Sequence, residues 1–133
     1  MRLKWNEELS TGIPQMDEQH RKLIDILNQF YEAIEKGEKV QGIEALLRGA
    51  EEYTIYHFSS EEKFMEEIGY PELEAHRKAH QNLINEVRSA KEKHEQGDEK
   101  AIRELAAFLL SWLYTHIAKT DRKYGEFYRL KGV

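Results

Sequence analysis

Four long segments of this sequence carry apolar residues at intervals of three and four, and none of them alternates with a period of two. This spacing places the apolar side chains on one face of an α-helix and argues against half-buried β-strands. The pattern includes Leu23 and Leu27 in the first segment, Ile43 and Leu47 in the second, Leu83 and Val87 in the third, and Leu105 and Leu109 in the fourth. The sequence therefore predicts an all-α fold.

Short breaker sequences separate these segments. Pro14 can open a helix at its first turn, Gly37 can end that helix in a left-handed conformation, and glycines 69 and 97 mark the next two stops. Connections of only a few residues join antiparallel neighbours in a bundle. We predict an antiparallel up-down-up-down four-helix bundle with helices near 15–36, 40–68, 72–96 and 98–118. Residues 1–13 are predicted to form an N-terminal arm on a single domain that spans residues 1–133, with the bundle at 14–125.

Composition removes several classes of function. The 133 residues include no cysteine, which excludes disulfide scaffolds, thiol catalysis and cysteine-ligated metals. The net charge is −5 and no basic block is present, so no nucleic acid is expected as a partner. The longest apolar run, Ala106–Leu110, is too short for a membrane span, and no signal peptide is evident, so a cytoplasmic location is expected. The oligomeric state is left open.

Five of the six histidines interrupt the apolar stripes of the predicted helices, and one carboxylate joins them. Histidines four apart share a helix face, and Glu61 follows His57 by four. In an up-down-up-down bundle, the start of helices 1 and 3 and the end of helices 2 and 4 lie at the same end of the molecule. The residues that this topology brings together are His20, His57, Glu61, His76, His80 and His116. His94 falls at the opposite end and is predicted to be structural or exposed.

A metal site is the preferred interpretation of this group. A single buried histidine is more often a hydrogen-bonded core residue, but five imidazoles and a carboxylate in one layer are costly to bury without a cation. Imidazole suits zinc, copper, nickel and iron, so ligand type alone leaves the metal open. Glu62 is predicted to face solvent, and Tyr53 and Phe58 to be ordinary packing. Gln19 could bond an imidazole, although a solvated side chain is the preferred reading.

The spacing of these residues resembles that of the hemerythrin family. The matching motifs are Met16-Asp17-Glu18-Gln19-His20, His57-x3-Glu61, His76-x3-His80 and His116-x4-Asp121, with Trp5 in the arm and Trp112-Leu113 before His116 similar to bacterial single-domain members. The resemblance implies a non-haem di-iron centre that binds O2 reversibly. It implies one iron held by His76, His80 and His116, another held by His20 and His57, and bridges from Glu61, Asp121 and an oxo or hydroxo group.

Only the resemblance to the hemerythrin family places Asp121 among the predicted ligands. On a regular α-helix, five residues turn by about 140°, which would point Asp121 away from the metals that His116 binds. We therefore predict a local widening or an end of the helix between His116 and Asp121.

Counting the implied ligands gives six-coordination on the three-histidine iron and one open position on the other, where O2 would bind. Four apolar residues lie within one turn of a ligand and are candidates for the wall of the O2 pocket: Leu23, Ile24, Phe58 and Leu113. Plain core packing explains these four equally well.

Three other functions compete with reversible O2 binding. A ferritin-like di-iron oxidase would need Glu-x-x-His motifs, and none occurs, so the protein is not expected to be an enzyme. An O2 or iron sensor and an iron or nitric-oxide buffer could use the same residues. The expected function is O2 storage, delivery to an oxygen-using enzyme, or sensing.

Overall fold

A computed structural model describes residues 3–130 of the chain. Its helices are α1 (Pro14–Glu35), α2 (Lys39–Ile68), α3 (Leu73–Glu95), α4 (Ala101–Trp112), a π-helical segment (Leu113–Asp121) and α5 (Arg122–Leu130), preceded by a 3-10 turn (Glu7–Leu9). Within the described range there is no β-strand. Consecutive helices pack side by side and α1 closes against α4, which confirms the all-α four-helix bundle. The first two residues of the predicted arm and residues 131–133 of the predicted domain lie outside the described part.

The breaker residues set the ends of the first three helices, which differ from prediction by one residue at most. Pro14 occupies the first turn of α1, and the chain leaves α1 and α2 through Gly37 and Gly69, both with positive φ. Only glycine adopts that backbone conformation without strain, which explains why each helix ends there.

The fourth helix departs from prediction at both ends. It begins at Ala101 and not near 98, because the Asp98 side chain accepts a hydrogen bond from the Lys100 backbone and holds residues 98–100 in a turn. The predicted end at 118 is also wrong: the helix widens into the π-helical segment and continues as α5 to Leu130.

Polar contacts fasten the arm to the bundle. The Asn28 side chain bonds both the backbone N–H and the carbonyl of Leu3, at 2.7 and 2.9 Å. The buried Asp17 carboxylate accepts hydrogen bonds from the backbone and hydroxyl of Thr11 and from the Ser10 hydroxyl. The arm also runs against Gly125 of α5, where an added Cβ would collide with the Thr11 carbonyl.

Two apolar clusters fill the interior. The larger one runs along the bundle between the four helices and includes Leu9 of the arm. The smaller one comprises Met16, Met65, Ile68, Tyr70 and Tyr124, where the arm, the α2–α3 turn and α5 meet. Among the described residues, no helix is both long and apolar enough to cross a lipid bilayer.

Candidate metal centre

The structure brings all seven predicted ligands together in one buried layer between these two clusters. Each of them is at most 6% exposed. They come from four elements: one from α1, two from α2, two from α3 and two from the π-helical segment. Two overlapping groups of ligand atoms, each within 4.8 Å of one another, form within this layer: Glu61, His76, His80 and His116, and His20, His57, Glu61 and Asp121.

The three-histidine side of the centre consists of His76, His80 and His116. Oε1 of Glu61 lies 2.8 Å from His80 Nε2 and 3.6 Å from His76 Nε2. Oδ1 of Asp121 lies 2.6 Å from His76 Nε2 and 2.9 Å from His116 Nε2. Each carboxylate therefore directs one oxygen to this side.

The two-histidine side consists of His20 and His57 and faces the other oxygen of each carboxylate. Oε2 of Glu61 lies 3.3 Å from His20 Nε2 and 3.2 Å from His57 Nε2. Oδ2 of Asp121 lies 3.1 Å from His20 Nε2. Glu61 and Asp121 thus span the two sides, one oxygen to each, as two shared carboxylates between a pair of metals would.

The π-helical segment places Asp121 in the centre. A π-helix bonds residues five apart, so residues i and i+5 lie close together, whereas on an α-helix they point in different directions. His116 and Asp121 have this spacing, and both lie within the π-helical segment. The predicted break from regular α-helix between these residues is confirmed, and its form is a widening.

Both carboxylates are held in their ionised form. Burial alone would raise the pKa of Glu61, but His57 and hydrogen bonds from the surrounding imidazoles bring it well below its ordinary value. The pKa of Asp121 is likewise low, because His116 and His20 outweigh the effects of burial and of the Glu61 charge. The centre therefore offers two negative charges to a bound cation.

Three inward-facing atoms of the centre have no hydrogen-bond partner. His57 Nε2, His116 Nε2 and Asp121 Oδ2 are buried and make no hydrogen bond, although each lies close to an oppositely polar atom. His80 lies between two carboxylates, and in its neutral form a proton on Nδ1, donated to the carboxylate outside the centre, leaves the lone pair of Nε2 facing Glu61. An acceptor that faces another acceptor is stabilised by a positive ion between them, so the residues fit bound metal.

Two residues outside the centre bond its histidines, and both correct the sequence analysis. Gln19 is 5% exposed, not solvated, and its Oε1 accepts a 2.6 Å hydrogen bond from His57 Nδ1. Glu62, predicted to face solvent, is only 28% exposed and its Oε2 accepts from His80 Nδ1 at 2.8 Å. Each residue is next to a ligand in sequence, and a neighbouring helix covers it.

Sequence reasoning missed Tyr124. Its side chain is fully buried, and its hydroxyl donates a 2.7 Å hydrogen bond to Oε2 of Glu61. Tyr124 follows Asp121 by three residues, so the two side chains share a face if the helix continues past Asp121. This spacing is the sequence signal that could have indicated Tyr124. The predicted helix ended before it.

Aromatic rings cover the imidazoles. Phe58 stacks on His80 and Trp112 on His116, each with ring centroids 3.8 Å apart. Tyr53 stacks on His57 at 4.9 Å. These contacts hold the imidazole planes, so Phe58 and Tyr53 do more than fill space.

The predicted wall residues are all buried in the larger apolar cluster: Leu23, Ile24, Phe58 and Leu113. Their role against a small ligand stays a prediction. His94 belongs to neither group of ligand atoms and lies near the end of α3 that is remote from the centre.

Comparison with known proteins agrees with this geometry. The profile of the family described as "Hemerythrin HHE cation binding domain" matches residues 11–128, which include all seven predicted ligand residues. The chain belongs to the hemerythrin family. It is 35% identical to a bacteriohemerythrin of Clostridium acetobutylicum over 127 residues, covering 90% of this chain and 96% of that protein. It is 32% identical to a bacteriohemerythrin of Pseudomonas aeruginosa, covering 92% of this chain and 78% of that one.

Solved hemerythrin structures share the fold. Two crystal structures of hemerythrin substitution mutants superpose with a TM-score of 0.77 at 26% identity, covering 93% of this chain and 95% of each of theirs. The hemerythrin fold with its buried histidine and carboxylate cluster is therefore established for this chain.

Proposed function

We propose that this hemerythrin-family protein binds O2 reversibly at a centre of two iron ions and is not an enzyme. His76, His80 and His116 would hold one iron, His20 and His57 the other, with Glu61 and Asp121 shared between them. The two irons, when bound, supply the pair of electrons that reversible O2 binding requires. Storage, delivery to an oxygen-using enzyme and sensing all begin with this binding step, and the proposal covers each of them.

The observation that carries the proposal is the uneven division of imidazoles. Two carboxylates give one oxygen to each side, but three imidazoles lie on one side and two on the other. The two-histidine side therefore supplies one donor fewer, and the open position for an external ligand is on the side of His20 and His57. If the chain supplied a full set of donor atoms to both metals, neither metal could bind an external ligand.

Apolar residues form part of the surroundings of the centre. Leu23, Leu113 and Phe58 are at most 3% exposed, and their side chains offer no polar atom. We expect this wall to admit a small apolar molecule such as O2 more readily than ions. Exclusion of ions and bulk water on this face would favour release of the bound molecule unchanged over its chemical conversion.

The experiment that tests the proposal is metal analysis followed by visible absorption spectroscopy. We expect two irons per chain and a new visible band when the reduced protein meets air, and we expect removal of O2 to abolish the band. One zinc per chain would contradict the metal assignment. A spectrum that changes once and never reverts would contradict reversible binding.

A further inference from the structure

The two sides of the centre differ in what bonds the outer nitrogens of their histidines. On the three-histidine side, His80 Nδ1 donates to the Glu62 carboxylate at 2.8 Å. On the two-histidine side, His57 Nδ1 donates to the neutral amide oxygen of Gln19 at 2.6 Å, while His20 Nδ1 is buried without a hydrogen bond. The outer bonds thus place a charged acceptor on one side and a neutral one on the other.

A surface arginine fixes the Glu62 carboxylate in place. Arg77 Nε donates to Glu62 Oε1 at 3.3 Å, while Oε2 of the same carboxylate accepts the hydrogen bond from His80 Nδ1. Arg77 also bonds Glu66 and Glu74, so it joins carboxylates of α2 and α3. Glu62 therefore connects a partly exposed ion-pair group to a histidine that is 1% exposed.

The surroundings of His80 strengthen its link to Glu62. Phe58 lies flat on the imidazole with an interplanar angle of 4°, which fixes the ring plane and keeps water from that face. A carboxylate on the outer N–H of a ligating histidine fixes its tautomer and raises the basicity of the nitrogen that faces the metal. A neutral amide orients the ring without adding charge.

We propose that Glu62 is a positioning residue for the metal centre, and that its charge on His80 selectively strengthens metal binding on the three-histidine side. The inference rests on the proposed two-metal centre. It adds that the two sides differ in metal affinity by more than the one extra imidazole provides. Moving the carboxylate from one side to the other should therefore move the stronger metal binding with it. Glu62 touches no metal in this assignment and acts only through His80.

Two substitutions of nearly identical shape test the proposal. Glu62→Gln removes the charge and keeps a hydrogen-bond acceptor for His80, while Gln19→Glu places a charge on the two-histidine side. The probe is Co2+, loaded at two per chain in the full-length protein and withdrawn by a competing chelator without O2. We expect Glu62→Gln to weaken one of the two metals about 10–100-fold and the other less than about twofold. Gln19→Glu should strengthen the other metal.

Glu66→Gln is the matched control. It removes the same charge from the same helix and from the same arginine, since Glu66 also accepts from Arg77. The carboxylates on His80 within residues 3–130 are those of Glu61 and Glu62, not of Glu66. We expect both metals to change by less than about twofold. Equal weakening by Glu66→Gln and Glu62→Gln would overturn the proposal, because a general loss of negative charge would then explain both.

The side is identified with 57Fe in place of Co2+, since Mössbauer spectra separate irons with three and two imidazoles. Weakening by Glu62→Gln on the two-histidine side, or equally on both sides, would overturn the proposal. If Glu62→Gln loads no metal, Gln19→Glu alone decides the outcome by strengthening or not strengthening its own side. These metal measurements are made without O2, so they do not depend on O2 binding. Wild-type protein that binds metal more tightly on the three-histidine side, but fails to bind O2 in a separate experiment, would contradict only the proposed function.

Discussion

The Tyr124 hydroxyl donates a 2.7 Å hydrogen bond to Oε2 of Glu61, a residue 63 positions earlier in the chain. The bond links α5 to the carboxylate that the two sides of the centre share. It forms on the oxygen that faces His20 and His57, so Tyr124 restrains Glu61 on the side where we place the open position. The helix that follows the π-helical segment therefore contributes to the centre as well as to the fold.

Replacing Tyr124 by Phe should destabilise the protein without changing its shape. A hydrogen bond to a buried charged group contributes about 1.5–3 kcal/mol, and Glu61 would lose one such donor. We expect the free energy of unfolding to fall by about that amount in urea titrations. Tyr128→Phe is the control, since its ring is half-buried on the same helix and its hydroxyl has no hydrogen bond within residues 3–130. A Tyr124→Phe protein as stable as the Tyr128→Phe protein would contradict this assignment.

Deleting Lys119 should convert the π-helical segment to α-helix and keep Asp121 in the centre. The π-helical segment holds more residues per turn than an α-helix, so the loss of one exposed residue lets the segment revert to α-helical bonding. Asp121 would then follow His116 by four, a spacing that shares one face of an α-helix. We expect helical content by circular dichroism to persist and metal content to stay near two per chain.

Lys119→Ala keeps the chain length and serves as the control for this deletion. It should retain two metals, because Lys119 is exposed and contributes no ligand. A deletion variant that binds clearly less metal than Lys119→Ala would contradict the account, in which the widened helix brings residues five apart onto one face.

Asp17→Ala should free the arm from the bundle. The substitution removes the acceptor for three hydrogen bonds from Ser10 and Thr11. Leaving buried donors without a partner costs about 1–3 kcal/mol, so we expect a loss of stability in that range. Hydrogen exchange should accelerate at the Thr11 amide, whereas Glu18→Ala, which alters an exposed neighbour, should leave that amide protected. Slow exchange at Thr11 in the Asp17→Ala protein would show that other contacts hold the arm.

Much of this architecture could be predicted from sequence because local rules agree with the tertiary structure. Pro14, Gly37 and Gly69 impose backbone conformations that helices accept only at their ends, so α1 and α2 were placed within one residue. The clustering of the histidines followed from helix direction alone, since the short connections enforce antiparallel packing.

The errors lie where a neighbouring helix decides the outcome. Glu62 and Gln19 adjoin ligands in sequence, and periodicity alone does not show which partner covers such a position. Contacts from α3 to Glu62, and from α2 to Gln19, turn both side chains toward imidazoles. Tyr124 was missed because the predicted fourth helix ended before it. The five-residue spacing between His116 and Asp121 indicates an interruption of the α-helix, but whether the helix ends there or widens and continues depends on packing in the folded protein.

Removal of metal should lower thermal stability substantially. The imidazole and carboxylate atoms of the centre face one another without hydrogen bonds at several positions, so the ion contributes to folding free energy. A ligand at 100 times its dissociation constant adds about 2.7 kcal/mol per site. We expect a fall of several degrees or more in the melting temperature after chelation, measured by calorimetry. His94→Ala should retain its metals and melt like the wild type, and an unchanged melting temperature in verified metal-free protein would contradict a built metal site.

The uneven division of imidazoles is tested most directly by titrating the oxidised di-iron protein with azide, a small anion that takes open positions on iron. With His76, His80 and His116 on one side and His20 and His57 on the other, we expect one azide per pair of irons. Mössbauer spectra should place the azide on the iron held by His20 and His57. A stoichiometry of two, no binding at all, or azide on the three-histidine iron would contradict the account.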